Sequence, residues 1–461
     1  MTRFARIQDV EAFEQVPLSD RHLPQSTYAM LLQGCARNPQ KPAIRFCSTG
    51  DGYTCPRDFT FGDLISGIHR TANLLYSLRV GPQDVVSVVL PNLPETQFAI
   101  WGSEAAGIAN PINPLLEPSA IADIMNAARA KVLITFGPAA GSDIWQKVSR
   151  IFDKVPTLKT VLRVGGRERV EKNVISYDKV LPDFDATRLV SDRQVRPGEI
   201  AAMFHTGGTT GMPKLALHTH ANQVFSAWVT AQLFDCGASD VFLAGLPLFH
   251  VTGAIVCSLT PFSLGATTVV PSVLGYRDPA VIRNLYKIIE AYGVSFFVGV
   301  PTMYAALAQV PLQNANLSSI RFATCGTAPM SPILFREFER ITGIPIVEAY
   351  GLTEGTCVTS SNPPHGKRRV GSVGLRIPYE EMKIVHLDSE GHYMRDCEID
   401  EIGVVALRGP NVFDGYKEVR HNLGPWIDSG ETDPWLNTLK GRAANPQALV
   451  TLYGPLRASP R

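Results

Sequence analysis

The 461-residue chain predicts an α/β fold: a parallel sheet with helices packed on its faces, followed by a small β unit. Two observations carry this expectation. Between about residues 221 and 349, strand-like and helix-like stretches alternate, and such alternation builds parallel sheets covered by helices. After about Glu380, short apolar runs (MKIVHL, GVVALRG) separated by Gly and Asp take over, the pattern of a small β subdomain. With 45% hydrophobic residues, the chain can bury a large core and form more than one domain.

The elements follow in order. Residues 1–26, with Pro17 and Pro24, read as an irregular leader. From Thr27 the pattern becomes globular. The β-branched run Val85–Leu90 reads as a buried strand. Residues 91–118 read as a Pro-started helix closed by Asn110-Pro111, and Lys131–Phe136 as another strand. A helix is expected from about Ala221, then a strand at 241–245 and a helix near 252–264. Strands at 266–270, 295–298, 320–324 and 345–349 enclose helices at 279–291, after Pro301 and at 331–341. The main domain is expected over 27–435, its β subdomain over about 380–435, and residues 436–461 form an aberrant tail. There is no internal repeat or low-complexity tract.

Composition narrows the function. A net charge of +1 argues against a generic nucleic-acid or membrane-surface binder. Eight scattered cysteines without a CxxC pair argue against structural zinc and fit reduced thiols in the cytoplasm. The charged N-terminus lacks the apolar core of a secretory signal. Val241–Tyr276 contains no charged residue, but Pro247, Pro261 and Pro271 interrupt it well short of the roughly 20 apolar residues that a spanning helix needs.

Residues 205–214 read His-Thr-Gly-Gly-Thr-Thr-Gly-Met-Pro-Lys. The glycines (Gly207, Gly208, Gly211) leave backbone N–H groups open to an anion. Thr206, Thr209 and Thr210 add hydroxyl donors, and Lys214 adds a mobile positive charge. This is phosphate-cradling chemistry. It is not a Walker A loop, because Met212 and Pro213 separate the glycine from Lys214 and Leu215 follows. A second motif, Glu348-Ala-Tyr350-Gly351-Leu-Thr353-Glu354, falls at a strand end, where ligands bind in open α/β sheets. Glu354 is a hard oxygen ligand suited to Mg²⁺ beside phosphates. His250 follows a strand in an apolar setting. Lys367-Arg368-Arg369 reads as a solvated face, and His218 and His220 read as structural. No GxSxG or SxxK nucleophile is present around the loop.

Together the two motifs resemble the signatures of the adenylate-forming (AMP-binding) superfamily, of the acyl-CoA synthetase type. Gly326-Thr327-Ala328-Pro329 resembles that family's Gly-Gly-Ala-Pro turn, with Thr327 in place of a frequent glycine. The resemblance covers roughly Thr27 to Thr438. It implies a large adenylation domain of stacked, mostly parallel sheets sandwiched by helices, with a β-barrel-like subdomain. It also implies an ATP-dependent ligase: a carboxylate attacks the ATP α-phosphate, pyrophosphate leaves, and the thiol of coenzyme A displaces AMP. Tyr350 and the turn 326–329 would then flank adenine, Thr353 would bind the α-phosphate, Glu354 would hold Mg²⁺, and His250 would lie between acid and nucleotide. Residues 371–374 and 401–416 also match family turns, the latter leading towards the ribose site. Val298–Pro301 and the uncharged 250–264 segment suggest an apolar acyl pocket for a fatty or aromatic acid. The partners so implied are small molecules: the acid, ATP and CoA.

The chain departs from the family after Trp435-Leu436-Asn437-Thr438, where Leu439-Lys440 stand in place of Gly-Asp. A second alignment puts Ser429-Gly430-Glu431 there. The tail resembles sequence read out of frame, so a missing C-terminal domain and impaired ligase activity are expected. A non-catalytic nucleotide- or acyl-binding protein is the alternative reading.

Overall fold

In a computed structural model, residues 3–166, 173–206, 213–389, 392–418, 426–427, 435–443 and 450–452 are described. Two large sheets organise them. The nine-stranded sheet runs in the order Leu375–Arg376, Cys357–Ser361, Ile346–Leu352, Phe322–Cys325, Phe296–Gly299, Val241–Leu243, Thr267–Val270, Pro42–Phe46, Arg57–Thr60. Its six central strands are parallel, and antiparallel pairs finish both ends. The seven-stranded sheet runs Val174–Ser176, Thr160–Val164, Ala130–Phe136, Val85–Val89, Ile108–Pro111, Ile200–Thr206, Lys214–Thr219. All of its pairs are parallel except the last.

Strand alternation shows how these sheets stack. Val86 and Val88 of one sheet and Phe242 and Val270 of the other belong to a single core that also holds Leu31, Ile68, Trp101 and Phe225 from intervening helices. The opposite faces bury Val85 and Val89 with Ile121 and Met125, and Leu243 and Val269 with Leu285 and Phe338. Helices therefore lie between the sheets and on both outer faces. This is the stacked, mostly parallel α/β architecture expected from the sequence.

The small β unit is a separate antiparallel sheet of six strands: Tyr393–Asp396, Glu381–Leu387, Ile402–Arg408, Trp435–Ala443, Trp426–Ile427 and Val450–Leu452. A boundary at 435 cuts one of its strands. The tail expected to lack strand structure supplies Trp435–Ala443, which pairs with Ile402–Arg408 from Leu436↔Leu407 to Arg442↔Ile402.

Two further expectations are corrected. The 1–26 leader is not irregular: Ile7–Glu14 is a helix, capped by Asp9 accepting from the backbone N–H groups of Ala5 and Arg6. Phe4, Ile7, Val10 and Phe13 recur every third residue and are all buried, and Glu14 forms a two-pronged ion pair with Arg376. The helix after Val89 stops at Ala106, and Asn110-Pro111 ends a strand instead of closing that helix. Asn110 is held there by Ser87 and by the Met203 carbonyl, at 2.9 and 2.8 Å. The uncharged 241–276 segment folds as strand, π-helix (Thr252–Leu259), short α-helix and strand. Among the described residues no helix is long and apolar enough to cross a membrane.

Candidate active site

A cavity of about 550 Å³ opens where the two large sheets meet the segment after the Ile402–Arg408 strand, which brings in Tyr416. Thr206, Lys214, His250, Gly326, Thr327, Tyr350, Gly351, Thr353 and Glu354 all line it. Ala328 and Pro329 do not: they are exposed beyond the wall. Gly207, Gly208, Thr209, Thr210 and Gly211 lie outside the described residues. Their flanks are defined, however. Thr206 and Lys214 face each other across an antiparallel pair, so the motif's two flanks belong to neighbouring antiparallel strands.

The strand beginning at Lys214 is pinned on its other edge by residues 414–417. Leu217 donates to the Gly415 carbonyl, Asp414 to that of Leu217 and Lys417 to that of Leu215, each at 2.9 Å. Behind them, Thr219 caps the helix His220–Leu233, and Asn222 of that helix donates to the carbonyls of Pro410 and Val412 at 2.8 and 2.9 Å. These contacts bring Tyr416 into the site. Lys214 Nζ lies 5.3 Å from the Tyr416 ring centroid, the Tyr416 hydroxyl donates to Glu354 Oε1, and Thr206 also bonds that hydroxyl. Burial, and then the Glu354 charge, push the Tyr416 pKa upward, so the phenol stays protonated.

The turn carrying Thr353 and Glu354 is tightly held. Gly351 is required where it stands, because an added Cβ would lie 1.6 Å from the Cys357 carbonyl oxygen. Just beyond, Thr356 and Cys357 adopt left-handed φ angles of 47° and 98°, and such strain clusters at functional sites. Thr327, in place of a glycine, is also left-handed at φ 67°.

His250 is open to the cavity, yet the protein packed around it desolvates the ring and lowers its pKa. Nearby, His205 stacks on Phe249 with centroids 6.3 Å apart and accepts from the Asn113 backbone N–H at 3.2 Å. Burial, and then His250, lower its pKa to about 4. Among the described residues the wall beyond His250 is uncharged: Phe234, Val251, Thr252, Val256, Val298, Thr324, Cys357 and Val358. Of the expected acyl segments, Val298, Val251, Thr252 and Val256 line it. Sequence reasoning missed Tyr416, Thr324 and Cys357. For Tyr416 the signal was its place in the Phe413-Asp-Gly-Tyr416 turn already singled out.

Other motifs settle outside the cavity. Arg368 is half-buried rather than solvated: it pairs with Glu339 and donates to the Ile346 carbonyl at 2.7 Å, while Lys367 and Arg369 are exposed. Gly371 donates its N–H to Glu348 at 2.8 Å. In the small sheet, His386, Cys397 and Glu401 come within metal-sharing distance. However, both Glu401 oxygens already accept from Arg395, at 2.8 and 2.7 Å, and one also from the Glu398 N–H. That is an ion-pair knot in which the guanidinium opposes a cation.

This geometry agrees with what comparison with known proteins finds. Residues 31–417 match the model of the AMP-binding enzyme family, and the chain belongs to that family. It is similar to a marinolic acid–CoA ligase of Pseudoalteromonas sp. (strain SANK 73390), 33% identical over 94% of this chain and 66% of that protein. It is also similar to a long-chain-fatty-acid–CoA ligase of Bacillus subtilis (strain 168), 30% identical over 87% of this chain and 71% of the relative. The chain thus spans about two thirds of the length of these relatives. Solved structures of like fold include an anthranilate CoA ligase in complex with anthranoyl-AMP, with a TM-score of 0.81, 24% identity, and coverage of 94% of this chain and 78% of that one. The N-terminal domain of FACL13 from Mycobacterium tuberculosis matches with a TM-score of 0.77 and 19% identity, over 93% of this chain and the whole of that domain.

Proposed function

We propose that this chain is the ATP-binding part of an AMP-forming acid–thiol ligase, activating a carboxylic acid to an acyl-adenylate for transfer to coenzyme A. The supporting observation is one cavity that joins Lys214, the Thr206 and Thr353 hydroxyls and the Glu354 carboxylate to an uncharged pocket. A carboxylate attacking the α-phosphate brings two anions together, so the reaction needs charge neutralisation and in-line positioning rather than a protein nucleophile. Lys214 would neutralise charge on the phosphates, and the two threonines would donate to phosphate oxygens. Tyr350, Gly326 and Thr327 would border the adenine. His250 would position the acid at the junction of the two halves.

Glu354 fits Mg²⁺ in chemistry: it is a hard carboxylate oxygen donor beside the expected phosphates, held in place by the hydrogen bond it accepts from Tyr416. The ion would supply charge compensation on the polyphosphate. The uncharged far wall offers no counter-ion for a second anionic group, which supports a neutral fatty or aromatic acid over the oxalate or sulfoacetate named for other relatives. All eight cysteines are free, which supports a reducing compartment such as the cytoplasm.

The test is ATP–pyrophosphate exchange across a panel of decanoate, benzoate, coumarate and oxalate. Exchange with the neutral-tailed acids, falling on the order of 100-fold in Lys214→Ala, supports the reading. ATP binding with no acid-dependent exchange supports a non-catalytic nucleotide-binding protein instead.

A further inference from the structure

We infer that His218 is a positioning residue of the phosphate site, holding the Thr353–Glu354 turn in register with Lys214; the inference rests on the adenylating reading above. The strand Lys214–Thr219 alternates its side chains, so Lys214, Ala216 and His218 share one face. On the other face Leu215 and Leu217 enter the apolar core. Along the first face, Lys214 reaches over the Tyr416 ring, Ala216 bridges Tyr416 through the backbone, and His218 Nε2 lies 2.7 Å from the Thr353 carbonyl oxygen.

A carbonyl only accepts, so Nε2 carries the proton and Nδ1 is left as a bare lone pair. That Nδ1 is buried without a partner among the described residues, and the Phe204 ring packs at 5.0 Å. An unmatched buried acceptor costs about 1–3 kcal/mol, which a phenylalanine at this place would avoid. What histidine supplies and an apolar ring cannot is the bond to Thr353. Burial also lowers its pKa to about 4, so the ring stays neutral near pH 7 and does not disturb the charge balance around the phosphates.

The turn has need of such an anchor. Three successive carbonyls accept a bond from outside the turn: Thr353 from His218 at 2.7 Å, beside its local bond from the Thr356 N–H at 3.0 Å, Glu354 from the Phe413 N–H at 2.9 Å, and Gly355 from Asn411 Nδ2 at 3.2 Å. The last two come from the segment after the small sheet's Ile402–Arg408 strand. Only the first comes from the strand that begins with Lys214. It therefore ties the cation to the hydroxyl and carboxylate that must act with it, directly before the left-handed pair Thr356 and Cys357.

His218→Phe removes the donor and keeps the ring. His218→Gln restores an N–H at about the Nε2 position, and His218→Asn is a polar variant too short to reach. We expect His218→Phe and His218→Asn to lower kcat of acid-dependent exchange about tenfold, to raise the apparent KM for Mg–ATP, and to leave KM for the acid unchanged. His218→Gln should stay within threefold of the wild type. Folded His218→Phe or His218→Asn with wild-type kcat and Mg–ATP KM overturns the inference, as does a His218→Gln that is no better than His218→Asn. If the wild type itself shows no exchange, the adenylating reading fails separately. The same variants are then read by Mg–ATP binding, where a Kd equal to the wild type for His218→Phe or His218→Asn overturns the inference, and weaker binding that His218→Gln restores supports it.

Discussion

Glu104 offers the clearest quantitative test of the core. It lies fully buried on the helix Pro94–Ala106 and accepts from the Thr27 hydroxyl at 2.7 Å. Thr27 in turn lies 3.0 Å from His220 Nδ1. Burial raises the Glu104 carboxyl from 4.5 to about 7, against the opposing pull of its hydrogen bonds. Each decade of that displacement is worth about 1.4 kcal/mol, so carrying this carboxylate ionised costs the fold about 3 kcal/mol. The sign follows from proton uptake. Below pH 4.5 both folded and unfolded chains hold the proton, and there is no penalty. Between 4.5 and 7 only the folded chain holds it, so stability falls as pH rises. Above 7 the penalty is complete. Glu104→Gln keeps the shape and can still accept from Thr27, while removing the charge. At about 2.1 cal/mol/K per residue of unfolding entropy, 3 kcal/mol in this chain corresponds to about 3 °C. Differential scanning fluorimetry should therefore find Glu104→Gln about 3 °C more stable than wild type at pH 8 and no more stable at pH 4.5. The same offset at both pH values would refute the reasoning.

Other consequences are open to measurement. Burial lowers His205 and His218 to about 4 and His220 to about 3. These neutral histidines contribute stability above pH 6.5 that is lost as pH falls, about 2 kcal/mol each by pH 5, and a melting temperature flat from pH 6.5 to 4.5 would contradict that. Thr327→Gly relieves a left-handed β-branched residue, so chemical denaturation should show a gain of about 1 kcal/mol; a loss would mean that the side chain contributes more than its strain. Gly351→Ala drives a Cβ into the Cys357 carbonyl and should abolish ATP-induced thermal stabilisation or soluble expression. A variant with normal stability and normal ATP response would show that the turn can relax.

The large-scale order of strands and helices was legible because a parallel sheet buried on both faces writes itself as apolar runs between helical stretches. From about Ala221 to Leu352 most elements fall within a few residues of their expected limits, whereas the strands Thr160–Val164, Val174–Ser176, Ile200–Thr206 and Lys214–Thr219 were not foreseen. The leader's prolines read as irregular chain, whereas the spacing of three between Phe4, Ile7, Val10 and Phe13 marks a buried helical stripe. The strand Trp435–Ala443 was missed because its Lys and Arg residues lie in a small sheet, where cross-strand pairing rather than a thick core sets the pattern. In the site, Thr206, Lys214, Tyr350, Thr353 and Glu354 were visible as motifs. Tyr416 and His218 were not assigned to the site, because their roles arise from two strands meeting after folding: Tyr416 spans 62 residues to reach Glu354 and His218 spans 135 to reach Thr353. No local pattern encodes a contact of that range. Ala328 and Pro329 belong to a local motif whose first two residues, Gly326 and Thr327, line the cavity, while they themselves lie beyond its wall.

Oxygen transfer tests the adenylating chemistry most directly. The protein would be incubated with ATP, Mg²⁺ and decanoate or benzoate labelled with ¹⁸O in the carboxylate, and the AMP released would be weighed by mass spectrometry. Attack of the carboxylate on the α-phosphate predicts one ¹⁸O in AMP, whether CoA or water later takes the acyl group. AMP free of ¹⁸O, or hydrolysis that yields only ADP, would contradict it.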